Sequence, residues 1–190
     1  MTSFNIQTLH RVHYRARQFW AALRPKISAE ERRLVEQILA ANPKALAIFK
    51  GMAIADQQHA IAVLQALPRR EQLAEPPPTY LALQQAALLH DTGKTLGQPL
   101  FHRVLVVLLK TFWPAGLEKL AAAPLTCPVW RRPFVINVHH PDIGADWAEQ
   151  AGCARLTVTL IRSHQEKPAD RPSSTGEKLH QALYEADGAN

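Results

Sequence analysis

The stretch ALLHDTGK, residues 87–94, contains the most informative change of character in the chain. Small and apolar residues lead up to it, as expected of a buried helix. The run then stops on His90 and Asp91, two adjacent residues of types that bind metals, and Gly93 and Lys94 follow at once. A polar group at the end of a buried helix needs a partner. The stretch therefore directs the search to other histidines and carboxylates.

Composition indicates a globular protein. The 190 residues favour one domain with a substantial core, and 47% of them are hydrophobic. The chain carries a formal net charge of +6, and much of the excess lies near its start: His10, Arg11, Arg15, Arg17, Arg24, Lys26, Arg32 and Arg33. Such a surface attracts phosphates of nucleotides, nucleic acids or lipid headgroups, and a solvated basic helix face explains it equally well.

The cysteines and the apolar runs bear on location. Cys127 and Cys153 form no CxxC pair, so free thiols in a reducing cytosol are expected. The start of the chain lacks the apolar stretch of a signal peptide. The aliphatic run from Val104 to Leu109 is too short to span a bilayer. We therefore expect a cytoplasmic protein without a membrane partner.

Nearly every segment is predicted to be helical, so the predicted class is all-α. Ser28 with Glu31 forms a capping box, and Asn42 before Pro43 is an N-cap followed by proline. No alternating strand pattern, repeat or glycine-rich phosphate loop occurs. The predicted helices cover 5–24, 28–41, 43–67, 79–91, 99–110, 114–122, 141–152, 154–163 and 175–187, with an irregular connection at 124–133.

Six histidines and aspartates have a sequence context that favours a role as metal ligands. Five of them, counting His90 and Asp91, lie at or near predicted helix ends, and the sixth lies inside a helix. His59 is surrounded by alanines in mid-helix, and Asp187 lies near the end of the last helix. His140 precedes a proline, and His164 ends a helix. Imidazole and carboxylate together suit one or two divalent transition ions such as Mn, Fe, Ni, Co or Zn. A carboxylate can bridge two ions, and two ions about 3.5–4 Å apart can hold a phosphate.

These residues resemble the ligands of the HD-domain superfamily of metal-dependent phosphohydrolases, which are all-helical bundles with ligands in the order H…HD…D. The paired motif matches His90 and Asp91, the first histidine matches His59 in DQQHAIAVLQAL, and the final aspartate matches Asp187 in ALYEADG. The resemblance implies that these four residues hold one metal ion.

The members that bind two metals have additional histidines. HHPDIGADWAEQAG, residues 139–152, resembles their HPxxGAxxA segment and places His140 as a ligand, and LIRSHQEK offers His164. Gln165 follows where many relatives carry a second histidine, which predicts a weaker second ion. The GYP segment of the cyclic-di-GMP phosphodiesterases is absent, which argues against that substrate. The resemblance covers residues 55–188.

The resemblance implies an HD domain over residues 51–190, with residues 1–50 as a helical extension packed on it. The implied activity is hydrolysis of a phosphate ester or anhydride, with a nucleotide as the expected small-molecule partner. Asp91 and Lys94 are the candidate catalytic residues, and Lys94 is expected near the substrate phosphate. Its alternative is a surface lysine after a helix-capping glycine, Gly93.

Two other function classes remain open. A regulatory module would hold a metal and a nucleotide without turnover. A nucleic-acid-binding protein ranks last, because aromatic residues make up 7% of the chain and form no stripe interleaved with basic residues. The sequence does not identify the substrate, the metal or the oligomeric state.

Overall fold

The computed structural model describes residues 26–97 and 100–190, and this part of the chain contains α-helices and no β-strand. The prediction of an all-α protein is confirmed. The predicted helix 5–24 lies outside the described residues. The ten α-helices are α1 (Ala29–Leu39), α2 (Pro43–Lys50), α3 (Ile54–Ala66), α4 (Arg70–Leu73), α5 (Pro77–Leu89), α6 (Leu100–Phe112), α7 (Pro114–Ala121), α8 (Arg132–Gln150), α9 (Arg155–Ser163) and α10 (Thr175–Gly188), and a 3₁₀ helix spans Thr92–Leu96.

Helix α5 forms the centre of the main hydrophobic core. Leu83, Leu88 and Leu89 are almost completely buried, and the helix packs against α1, α2, α3, α9 and α10. Burial of apolar surface on this scale stabilises a fold by roughly 25 cal/mol per Å². The chain therefore holds the end of α5, where His90 and Asp91 lie, on a rigid support.

The described part of the first 50 residues belongs to the same core. Val35 and Leu39 of α1 and Ala45 and Phe49 of α2 pack in one cluster with residues of α3, α5, α9 and α10. A second, smaller cluster of Val106, Leu117 and Phe134 joins α6, α7 and α8. The boundary between an extension and a domain at residue 50 stays a prediction.

Two helix starts agree with the capping predictions. The Glu31 amide donates to the Ser28 hydroxyl at 3.1 Å, and the Ser28 amide donates to the Glu31 carboxylate at 2.7 Å. The Ala45 amide donates to the Asn42 side chain at 3.0 Å. Each cap satisfies amides that have no partner within the helix.

The single helix predicted over 43–67 is wrong. Helix α2 ends at Lys50, and α3 begins at Ile54 after Ala53, whose backbone is extended. The Gly51 amide closes α2 by donating to the carbonyls of Ala47 and Ile48. The break gives α3, and therefore His59, a direction independent of α2.

The start predicted for the helix over 79–91 is also wrong. Thr79 lies inside α5, which begins at Pro77 after Pro76. Prolines suit the first turn of a helix, because their fixed φ is helical and their missing amide hydrogens have no partner there. The short helix α4, between α3 and α5, has no counterpart among the predicted elements.

The prediction that Pro141 opens a helix is wrong as well. Pro141 lies inside the long helix α8. Proline has no amide hydrogen, so the carbonyl of Asn137, four residues earlier, loses its usual partner. The His140 ring supplies one, since its Nδ1 lies 2.7 Å from the Asn137 oxygen. Helix α8 continues, and the histidine ring is oriented by the same bond.

The 3₁₀ helix lies unusually close to α8. A Cβ atom on Gly93 would lie 2.9 Å from His140 Cα and closer still to the His140 carbonyl oxygen. A Cβ on Gly144 would lie 3.0 Å from the Thr92 hydroxyl. The alternative interpretation of Lys94 has Gly93 capping α5, but His90 occupies the cap position. The glycine is needed for the close approach of two backbones.

Within residues 26–97 and 100–190, no helix has both the length and the apolar character that crossing a membrane requires.

The close approach predicts the effect of adding one methyl group. Gly93→Ala should lower the free energy of unfolding by about 1–3 kcal/mol, because the backbone of α8 must move to make room. Urea denaturation followed by circular dichroism measures the change. Gly176→Ala is the matched control, since a Cβ there meets nothing within 4 Å. Equal stability of the two variants would contradict the tight contact.

Candidate metal centre

Six side chains meet at the centre of the bundle. They come from helices far apart in sequence: His59 in α3, His90 at the end of α5, Asp91 directly after it, His140 in α8, His164 at the end of α9 and Asp187 in α10. The structure thus brings together all the metal ligands that the sequence suggested. Whether they bind metal stays a prediction.

Asp91 lies between two groups of imidazoles. Its Oδ2 is 3.6 Å from His90 Nε2 and 3.8 Å from His59 Nε2. Its Oδ1 is 3.2 Å from His140 Nε2 and 3.8 Å from His164 Nε2. Each carboxylate oxygen therefore faces a different pair of histidines, as a carboxylate shared between two ions would require.

Asp187 completes the first group. Its Oδ1 lies 2.9 Å from His59 Nε2 and 3.5 Å from His90 Nε2. The first group thus contains His59, His90, Asp187 and one oxygen of Asp91. The second group contains His140, His164 and the other oxygen of Asp91.

Backbone carbonyls orient three of the rings. Nδ1 of His90 lies 2.9 Å from the Ala87 oxygen, and Nδ1 of His164 lies 2.7 Å from the Ile161 oxygen. Both acceptors are in the last turn of a helix, where carbonyls have no helical partner. His140 does the same with the carbonyl freed by Pro141. Because a carbonyl oxygen accepts, Nδ1 of each ring donates, and Nε2 faces the cluster.

Several of the inward-facing atoms have no hydrogen-bond partner among the described residues. They are His90 Nε2, His164 Nε2 and Asp91 Oδ1, and all three are buried. Leaving such an atom unsatisfied costs about 1–3 kcal/mol. The ligand atoms form three overlapping sets, and within each set they all lie within 4.8 Å of one another. The sets are His59–His90–Asp91, His90–His164–Asp187 and Asp91–His140–His164. Buried groups of this kind could hold a metal ion.

Electrostatics favour charged carboxylates. Burial raises the pKa of Asp91, but the neighbouring charges on His90 and Lys94 lower it by more. The pKa of Asp91 therefore lies well below the usual value. Burial also raises the pKa of Asp187, and the contacts of its Oδ1 with His59 at 2.9 Å and His90 at 3.5 Å outweigh it, so that pKa is lowered too. Both groups are therefore anionic at neutral pH.

The buried histidines differ from one another. Burial lowers the pKa of His164 to about 3, and the charge on His90 acts in the same direction. Burial also lowers the pKa of His90, but the charge on Asp91 and contacts with Asp187 raise it above the usual value overall. His164 is therefore neutral at pH 7, which is the form that coordinates metals.

Lys94 contacts the cluster directly. Its Nζ donates to Asp91 Oδ2 at 2.6 Å, and its side chain is only 20% exposed. The ammonium group thus neutralises part of the Asp91 charge from the solvent side. This contact differs from that of an ordinary surface lysine, and the role of Lys94 toward a phosphate stays a prediction.

Sequence reasoning missed the groups that hold the rings. No motif pointed to the carbonyls of Ala87, Asn137 and Ile161. One signal was available, because a proline directly after a histidine inside a helix frees the carbonyl three residues before that histidine. Gln165 departs from the resembled motif, and its side-chain nitrogen lies 3.3 Å from His140 Nε2.

Comparison of the chain with protein-family models, curated proteins and solved structures finds no match.

The two groups predict distinct losses of metal. Asp91→Ala should lose all bound ions, because it removes the one carboxylate that faces both groups. The double change His140→Ala, His164→Ala should lose one ion and keep the other. Elemental analysis of protein loaded with Mn²⁺ or Zn²⁺ and then desalted measures both. Unchanged metal content in the double variant would show that the second group binds no ion.

Proposed function

We propose that this chain is a metal-dependent phosphohydrolase of the HD-domain type, acting on a phosphate ester or anhydride. The proposal depends on one observation, namely that the two oxygens of Asp91 face two separate histidine pairs. The order of the ligands along the chain, H…HD…H…H…D, supports the same family. The arrangement suits hydrolysis of a phosphate group that two bound cations would hold between them.

The side chains fit one or two divalent transition ions. The unpartnered atoms His90 Nε2, His164 Nε2 and Asp91 Oδ1 are of the nitrogen and oxygen types that Mn, Fe, Co, Ni and Zn accept. The first group would hold one ion and the second group the other, with Asp91 common to both. Bound ions of this kind activate water and stabilise charge on a phosphoryl group.

The chain's own residues would prepare the site for an anionic substrate. Asp91 and Asp187 hold the imidazoles in place through the contacts described above. Lys94 places an ammonium group at the partly exposed edge of the cluster. When an ion takes over neutralisation of Asp91, this ammonium can contact a phosphoryl oxygen and stabilise charge that develops there.

A nucleotide is the proposed substrate, and the cytoplasm is the proposed location. The net charge of +6 favours a phosphorylated small molecule over a neutral one. Cys127 and Cys153 are both unpaired, which fits a reducing compartment.

A regulatory module is the second candidate, and the position of Gln165 favours it. Its side-chain nitrogen lies 3.3 Å from His140 Nε2, where it can donate to the lone pair that a metal ion would need. A second group that binds its ion weakly would leave a protein that recognises a nucleotide but turns it over slowly. A screen of nucleotides and phosphomonoesters with each metal, assayed for product and separately for binding, distinguishes the two candidates.

Lys94→Ala tests catalysis against binding. The variant should keep its metal, because Lys94 is not a ligand and its ammonium competes with cations for Asp91. It should lose roughly 10²–10³ in kcat if the ammonium stabilises the transition state, with a smaller change in KM. Steady-state kinetics with parallel metal analysis measure both effects.

Lys167→Ala is the control, since that lysine side chain is 81% exposed and pairs with Asp170, which is itself exposed. Wild-type kinetics in Lys94→Ala would make Lys94 irrelevant to the reaction. Nucleotide binding without product in the wild type, weakened in Lys94→Ala, would support the regulatory module.

A further inference from the structure

Gln165 lies at the edge of the second group, directly after the end of α9. Its side-chain nitrogen is 3.3 Å from His140 Nε2. The other ring nitrogen of His140, Nδ1, donates to the Asn137 carbonyl. In the neutral ring, which is the form that can bind a metal ion, Nε2 carries the lone pair and can accept from the Gln165 amide.

The two histidines of the second group are therefore not equivalent. The buried His164 Nε2 has no hydrogen-bond partner among the described residues, whereas the His140 lone pair is already engaged. A metal ion needs that lone pair, so it must first break the bond from Gln165. In the first group, the ring nitrogen of His90 meets no such donor in the described part of the chain.

Gln165 is placed so that this bond can break at little structural cost. The residue is exposed, and it follows His164, which is fully buried. The turn is held by the Glu166 amide, which donates to the Ser163 carbonyl at 2.8 Å. The glutamine side chain can therefore turn into solvent while His164 keeps its position.

We propose that Gln165 weakens the second ion site by donating a hydrogen bond to His140 Nε2. The inference depends on the proposed metal-binding role of the cluster. Gln165 sets the concentration of divalent ion at which the second group fills, and the first group fills independently of it. The protein would then pass from a one-ion to a two-ion form as the metal concentration rises.

Titration with Mn²⁺ tests this inference, with free ion followed by electron paramagnetic resonance. Gln165→Ala should tighten the weaker binding step by roughly 2–10-fold, as expected for removal of one hydrogen bond, and leave the tighter step unchanged. Gln165→Met, which keeps the chain length but has no N–H donor, should show the same gain. Gln181→Ala is the matched control, because the amide of this half-buried glutamine donates to Glu185 at 2.7 Å rather than to a cluster residue.

The outcomes separate this inference from the proposed function. Two binding steps in the wild type that stay unchanged in both Gln165 variants would overturn the inference alone. A weaker second step in the variants would also overturn it and would make Gln165 a ligand. A wild-type protein that binds no divalent ion would overturn the proposed function together with the inference.

Discussion

The fold depends on burying one ionised carboxylate. Asp91 is 2% exposed in the middle of an apolar bundle, and an unpaired charge in such a place costs several kcal/mol. The surrounding helices compensate with four imidazoles and the Lys94 ammonium. The hydrophobic core around α5 also holds in place the helices that bring the imidazoles to Asp91.

Glycines, a proline inside a helix and free carbonyls at helix ends allow the side chains to converge on Asp91. Gly93 and Gly144 allow the 3₁₀ helix and α8 to approach more closely than side chains would permit. Pro141 releases a carbonyl that then orients His140. His90 and His164 use carbonyls left free at helix ends. Interruptions of regular helix structure thus lie next to three histidines of the cluster. Each of these rings is oriented by a hydrogen bond to a carbonyl that the helix leaves without a partner.

Local signals in the sequence predicted the helical class and two caps, but they did not predict every helix boundary. The caps at Ser28 and Asn42 could be predicted because the interacting atoms lie within three residues. Pro141 does not follow the usual rule that proline opens a helix, because the adjacent His140 ring contacts the carbonyl that the proline leaves without a partner. The six cluster residues could be named from their order in a resembled motif. Their division between the two oxygens of Asp91 is a property of packing that no spacing contains.

The two halves of the cluster differ in how far the protein itself satisfies them. In the first, His59 pairs with Asp187 at 2.9 Å and Lys94 pairs with Asp91 at 2.6 Å. Three buried atoms have no hydrogen-bond partner among the described residues: His90 Nε2 in the first half, and Asp91 Oδ1 and His164 Nε2 in the second. The chain thus neutralises much of the Asp91 charge itself, and it retains buried polar atoms whose desolvation cost a bound ion would offset. Any ion that binds these atoms in the folded state alone stabilises the fold by mass action. Because these atoms lie in both groups, ion binding and stability are coupled through both, and the ion that binds more tightly contributes more.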